Sequence, residues 1–246
     1  SPPYVCPHPE NTVQERLQQL RLVAVNIEGV LLNDTFSPVI HEFVTSRGGD
    51  YTADVERRIF SQPRSVAGVE LAAAAGIEVS GAEALRLYFE ARGRYLERHP
   101  VALLDGALPL LGRLASLDVQ VICYGGLDGT YFDTHLGPYA SYFSAPHYVC
   151  TDSFRPGIKE ITTDVFGLAH DQVLFIDDVA RVAEEARRLG TAFVGHPSSY
   201  HASFQRKLME EVGVRHLVDS LHAVDDELLV RIDAEAAAGT CWGAQP

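Results

Sequence analysis

Two apolar runs, far apart in the chain, each end in polar residues, and this pairing constrains the fold more than any other feature. Residues 22 to 31 read Leu-Val-Ala-Val-Asn-Ile-Glu-Gly-Val-Leu, so an apolar stretch delivers Asn26 and Glu28 and then a glycine. Much later, Val173-Leu-Phe-Ile-Asp-Asp178 repeats the design and ends in paired carboxylates. Short continuous apolar runs mark strands buried on both faces, which is the condition of parallel sheets covered by helices. In an open α/β sheet the carboxyl ends of such strands open onto the ligand crevice. The polar residues at the two ends are therefore site candidates.

The rest of the chain alternates in the way such a sheet requires. After an extended, proline-rich Ser1–Pro9 segment, Val13–Leu20 reads as a short amphipathic helix. From Pro38 to Leu104 the patterns are helical: Ala53–Phe60, Val66–Ala75, and a long helix running to about His99. Ser80-Gly-Ala-Glu83 opens that last helix as a capping box, and Leu85, Tyr88, Phe89, Tyr95 and Leu96 recur on one of its faces. Helix Leu108–Leu117, strand Val119–Tyr124, strand Tyr148–Cys150 and helix Glu160–Leu168 follow. Then come strand Val173–Ile176, a helix stopping at Gly190, strand Thr191–Gly195, and a helix near Phe204–Val212. A strand at His216–Val218, a helix from about Asp225 and a frayed tail from Ala236 complete the reading. The pattern predicts an α/β fold, a Rossmann-like parallel sheet core with an inserted all-helical domain. Residues 1–37 and 105–246 form the core in this reading, and residues 38–104 the insert.

Composition narrows the function classes. The 246 residues carry 33 acids against 20 Lys and Arg, a net charge of −13, with no basic run. Nucleic-acid binding, which needs clustered cations against phosphate, is not expected. The four cysteines, Cys6, Cys123, Cys150 and Cys241, have neither metal-ligand nor redox-motif spacing. Cys123 and Cys150 lie in or beside apolar strands and are expected to pack as small hydrophobes. No apolar run reaches membrane-spanning length and no signal-peptide pattern opens the sequence. The expectation is a cytoplasmic protein that takes a small-molecule ligand, with a protein partner as the other option.

In order and spacing, the two strand ends resemble the haloacid dehalogenase (HAD) superfamily. Its first motif is Asp-x-Asp-Gly-Thr/Val-Leu and its last is an acidic pair after a strand. The resemblance covers Leu22 to Val218. It implies that the insert is a helical cap (the C1 type) and that the pocket lies between cap and core. It also implies roles. Asn26 stands where the family's nucleophilic Asp belongs, and a neutral amide is a far poorer nucleophile than a carboxylate. Glu28 stands at the acid/base position, one methylene further out, where a displacement of roughly 1 Å can cost on the order of 100-fold in rate. The plainer reading of the two is a hydrogen-bonding amide and a solvated acid.

Tyr124 falls where the second motif places a small hydroxyl. Gly125 and Gly126 after it could offer backbone N–H groups to an anion, or simply make a tight turn. All three are substrate-binding candidates. Arg155, before Pro156, takes the place of the third motif's lysine, with Lys159 one turn on as its alternative; an arginine there would grip an oxyanion with a fork of donors. Asp177 and Asp178 match the family's Mg²⁺-holding pair. Exchanging the third carboxylate for Asn26 removes a unit of negative charge that Mg²⁺ prefers, so Mg²⁺ binding is expected to be weakened or absent. N-capping of the next helix is the structural role open to the pair. His41, Glu42 and Arg47 lie at the entrance to the insert, and Asp128, Tyr131 and His135 follow the second strand. His147 reads as an ordinary loop histidine.

Three functions stay open. The first is an enzyme acting on a small anionic metabolite by non-phosphoaspartyl chemistry, with Glu28 as acid/base. The second is an inactive small-molecule binder or partner protein. The third is an Mg²⁺-dependent phosphatase or hydrolase that tolerates the replacements.

Overall fold

The computed structural model describes residues 16–243. Cys6, the Ser1–Pro9 segment and the start of the helix expected over Val13–Leu20 lie outside them. Six parallel strands form one sheet: β1 (Leu22–Asn26), β2 (Gln120–Gly125), β3 (Tyr148–Cys150), β4 (Val173–Asp177), β5 (Ala192–Gly195) and β6 (His216–Leu217). Their spatial order is β3-β2-β1-β4-β5-β6. Chain order reverses around β1, so the crevice expected of such a sheet opens at the carboxyl ends of β1, β2 and β4. Register carries this to residues: Asn26 lies beside Tyr124, and Val25 beside Ile176, one residue before Asp177.

β1 and β4 are buried along their whole length, as their apolar sequence requires. Successive side chains point to opposite faces. Val23 and Val25 pack with α5 (Ala107–Ser116) and α9 (Asp226–Ala238), through Leu110, Leu114, Leu229 and Ile232. Leu22 and Ala24 face α7 (Ala180–Leu189) and α8 (Gln205–Val212), through Val182, Ala183 and Met209. Four helices follow β1 directly: α1 (Ser37–Thr45), α2 (Ala53–Ile59), α3 (Arg64–Ala75) and α4 (Gly81–Arg98). Their apolar residues Phe43, Leu71 and Tyr88 join the second cluster, so the insert and that face of the sheet share one core. No helix among the described residues is long and apolar enough to cross a membrane.

Several elements depart from expectation, each for a local reason. Residues 17–20 turn rather than coil. The buried carboxylate of Asp233 takes the backbone N–H groups of Gln18, Gln19 and Leu20, each at 2.8 Å, and those donors are then lost to any helix. A helix not expected from sequence, α6 (Gly129–Leu136), follows β2, and the Asp128 carboxylate caps its first turn by accepting from Thr130 N–H. Glu160–Val165 makes a single π-helical turn. Ser80 caps α4 by accepting from Glu83 N–H at 3.1 Å, but the Glu83 side chain pairs with Arg86 instead of completing the box. Cys150, expected to pack, is exposed, because β3 is an edge strand. The tail does not fray at Ala236: α9 runs on to Ala238, and Trp242 stacks on Phe193 and donates to the Thr191 carbonyl at 2.8 Å.

Candidate ligand site at the strand ends

The residues after β1 make a tight loop that returns Glu28 towards the sheet. Gly29 has φ +77°, and a Cβ on it would lie 2.0 Å from Asp178 Oδ2. Only glycine lets the β1 loop come this close to the end of β4. Asn26, 4 % exposed, donates its amide N–H to Asp178 Oδ1 at 3.1 Å. The structure thus brings positions 26 and 178 together.

Asp177 faces the other way. Its Oδ1 accepts from Val179 N–H at 2.9 Å and its Oδ2 from the Tyr124 hydroxyl at 2.5 Å. Tyr124 is buried against Phe175 and does not reach the cavity. The substrate-binding role expected of it therefore fails: its ring is buried and its hydroxyl is spent across β1 on Asp177 of β4. Burial raises the carboxyl of Asp177, and burial beside Asp177 pushes that of Asp178 well above the usual range. Neither acid caps the N-terminal turn of α7 beyond Val179; Gln205 Oε1 accepts from Ala180 N–H at 2.8 Å.

Glu28 sits in a network that reaches into the insert. Thr35 donates to Oε2 at 3.1 Å, and the Tyr131 hydroxyl donates to Oε1. Arg92, projecting from α4, lies 3.7 Å from Oε1 and donates to Thr35 Oγ1 and to Tyr131. Its guanidinium also covers the Phe36 ring at 4.7 Å. Burial dominates over these partners and raises the Glu28 carboxyl to about 7. Arg92 was not legible as a site residue. The available signal was an arginine at i+4 from Tyr88, inside the apolar stripe of α4.

A cavity of about 140 Å³ lies over Asn26, Glu28 and Asp178. The insert gives it apolar walls, among them Ile59, Phe60, Leu71, Tyr88 and Phe89, and Phe36 joins them from just before α1. Arg155 lines the opposite side and donates to Ser61 Oγ at 3.1 Å. Its Nη1 would lie 2.2 Å from a Cβ on Gly126, so the glycine makes room for the guanidinium. Ser61 holds its hydroxyl in place from a left-handed backbone, φ 54°, a conformation that costs a non-glycine residue energy and that clusters at functional sites. No carboxylate oxygen lies within 4.0 Å of Arg155 among the described residues. Arg64, by contrast, is committed to Asp152 at 3.9 Å.

Other candidates fall outside. Lys159 is exposed, immediately before the π-helical turn, and does not line the cavity. Gly125 is buried under Ile27 and the Tyr148 hydroxyl, while Gly126 does line the cavity. His41 bonds to Tyr200 at 2.9 Å, Arg47 covers the Phe43 ring, and Glu42 is exposed. Tyr131 belongs to the Glu28 network with His135 packed against its ring. His147, at φ 73°, bonds to the Ala140 carbonyl at 2.9 Å in a loop.

Neither a family model nor a curated protein matches the sequence. Solved structures do match in three dimensions. A conserved haloacid dehalogenase-like protein of unknown function from Agrobacterium tumefaciens superposes with a TM-score of 0.61 at 18% identity, over 88% of this chain and 100% of that one. A haloacid dehalogenase-like family hydrolase from Xanthomonas campestris gives 0.58 at 17% identity, over 92% and 97%. A HAD family hydrolase from Deinococcus radiodurans, with bound phosphate and sodium, gives 0.58 at 16% identity, over 89% and 97%. With the six-stranded order and the paired acids after β4, these likenesses identify the architecture: the chain has the haloacid dehalogenase-like fold.

Proposed function

We propose that the cavity binds a small organic anion with an apolar body and acts on it by proton transfer at Glu28, without phosphoaspartyl chemistry. Arg155 is the observation that carries this reading. It is a half-buried guanidinium on the wall of a largely apolar cavity, and no carboxylate lies in ion-pair range among the described residues. Arg155 acts on the buried Asp177 only from beyond ion-pair distance, so an anionic ligand adds the counter-charge in direct contact that a partly desolvated cation favours. On the floor, Asn26 has no carboxylate to attack with, and its amide is engaged by Asp178.

The residues present do not fit Mg²⁺. Asp177 spends both oxygens on Tyr124 and Val179, which leaves Asp178 as the one member of the acidic pair that faces the cavity. Among the described residues, no three His, Cys, Asp or Glu side chains converge. Mg²⁺ needs near-octahedral oxygen ligation with more charge than this. The mechanism therefore rests on side chains. Arg155 holds the anionic head, and the helices of residues 38–104 serve as a cap that excludes water. Glu28, at about 7, populates both protonation states near neutrality and so can give or take a proton. Thr35, Tyr131 and Arg92 fix its carboxyl at the edge of the cavity.

One observation favours a second reading, binding without turnover: both Glu28 oxygens already accept hydrogen bonds from the protein. Thermal-shift screening against small organic acids tests the proposal and separates the two. We expect acids that raise the melting temperature of the wild type to lose that effect in Arg155→Met. We expect Glu28→Gln to keep binding and to abolish conversion of the bound acid. Undiminished stabilisation of Arg155→Met contradicts the site. Binding with no conversion in the wild type decides for the second reading.

A further inference from the structure

Tyr88 offers a hydrogen-bonding group that the protein itself leaves unused. The residue projects from α4, lines the cavity, and is 3 % exposed. Its hydroxyl is buried and finds no hydrogen-bond partner, although Glu28, Asp34 and Arg92 all lie near enough to act on it electrostatically. Phe36, Phe43 and Phe89 surround its ring, so the side chain is held by packing rather than by its oxygen. A buried hydroxyl without a partner costs on the order of 1–3 kcal/mol, and a phenylalanine would fill the same aromatic slot without that cost. Arg155 Nε is a second orphaned donor among the cavity's lining residues.

The charges around the floor narrow the anion. Glu28, Asp34 and Asp178 line the cavity, and Asp177 is buried just beneath it. Two of the nearby arginines are already matched, Arg92 with Glu28 and Arg64 with Asp152, which among the described residues lining the cavity leaves Arg155 to meet a ligand's charge. One such cation among several acids suits a single negative charge better than two. There is room for an aromatic ring: a cavity of roughly 150 Å³ accepts benzene, and this one measures about 140 Å³.

Resting on the reading of Arg155 as an anion anchor, we infer that the ligand is an aromatic monocarboxylate that carries an uncharged oxygen on its apolar body, and that Tyr88 recognises that oxygen. The carboxylate meets Arg155, the ring lies against the walls of the cavity, and the Tyr88 hydroxyl, which packing closes off, donates to the oxygen once the side chains around it shift. Burial keeps the phenol un-ionised, so it remains a donor throughout the neutral range.

Calorimetric titration of wild type, Tyr88→Phe and Arg155→Met tests this, with phenylacetate, the three hydroxyphenylacetates and phenyl phosphate as probes. The three isomers carry the oxygen to different distances from the carboxylate. The expected result is one isomer that binds wild type about 3- to 10-fold more tightly than Tyr88→Phe, while phenylacetate binds both proteins alike and phenyl phosphate binds more weakly. Tyr88→Phe loses no internal hydrogen bond, so its melting temperature should equal or exceed that of the wild type. If Tyr88→Phe binds every isomer as the wild type does, or melts lower, the role of Tyr88 is overturned while the Arg155 site stands. Tighter binding of phenyl phosphate overturns the monocarboxylate class. If Arg155→Met binds phenylacetate as the wild type does, or if the wild type binds none of the probes, the anchor fails and the inference fails with it.

Discussion

At Asn26 a single group decides which chemistry is available. Its amide bonds to Asp178, where a carboxylate would be a third acid against Asp177 and Asp178. Asn26→Asp should therefore destabilise the fold by about 1–3 kcal/mol in EDTA, measured by urea denaturation, because a donor is replaced by a like charge. The same variant should gain no phosphatase activity, since Tyr124 still occupies the end of β2 and, with Val179 N–H, engages both oxygens of Asp177. Glu28 makes a pH prediction. Its carboxyl is raised in the folded state from 4.5 to about 7. Between those values the folded chain keeps a proton that the unfolded chain has lost, so stability falls as pH rises through this window and then levels off. The contribution is at most about 3 kcal/mol. Denaturation midpoints from pH 5 to pH 8 should fall less steeply for Glu28→Gln than for wild type. Parallel curves would remove Glu28 as the source of the slope.

Among the elements, α2 has the clearest point of attachment to the core. Its Glu56, fully buried, accepts from Tyr51 Oη at 2.8 Å, from Phe204 N–H at 2.9 Å and from Gln205 Nε2 at 2.8 Å. Glu56→Ala leaves three donors without their acceptor and should cost about 1–3 kcal/mol. Hydrogen exchange should quicken in α2 and around Phe204 and Gln205, with β1 and β4 unchanged; uniform quickening would mean that the insert and the sheet unfold as one unit. The strands and most helices were legible in the sequence because periodicity and caps are local signals. The described end of the helix expected over Val13–Leu20 does not form, which local signals miss because the carboxylate that claims its N–H groups, Asp233, lies 213 to 215 residues away. α6 went unread because its β-favouring Thr130 and Tyr131 hide a helix whose start is marked only by Asp128.

At the scale of the whole molecule, the strand ends gave away Asn26, Glu28 and the acidic pair, because the sheet places such positions together by rule. Arg92, Ser61 and Tyr88 were hidden because their roles arise only when the insert folds over the sheet. Arg92 meets Thr35 across 57 positions, and Arg155 meets Ser61 across 94. The insert is fastened at further points: Arg57 to Glu184 at 3.0 Å, Arg181 to the Arg57 carbonyl at 2.6 Å, and Tyr200 to His41 at 2.9 Å. The exposed pair of Arg57 and Glu184 adds little by itself, about 0–1 kcal/mol. It is the buried contacts of Glu56, Arg92 and Tyr88 that tie the walls of the cavity to its floor. The fold keeps the strand-end crevice of the haloacid dehalogenase-like architecture, and in the proposed function Asn26 and the engaged Asp177 supply neither a nucleophile nor a metal shell there. Hydrolysis of p-nitrophenyl phosphate, followed with Mg²⁺ and with EDTA, addresses this most directly. No turnover above the uncatalysed rate in either condition is the expected result, whereas Mg²⁺-dependent turnover that disappears in Asn26→Ala would contradict the account.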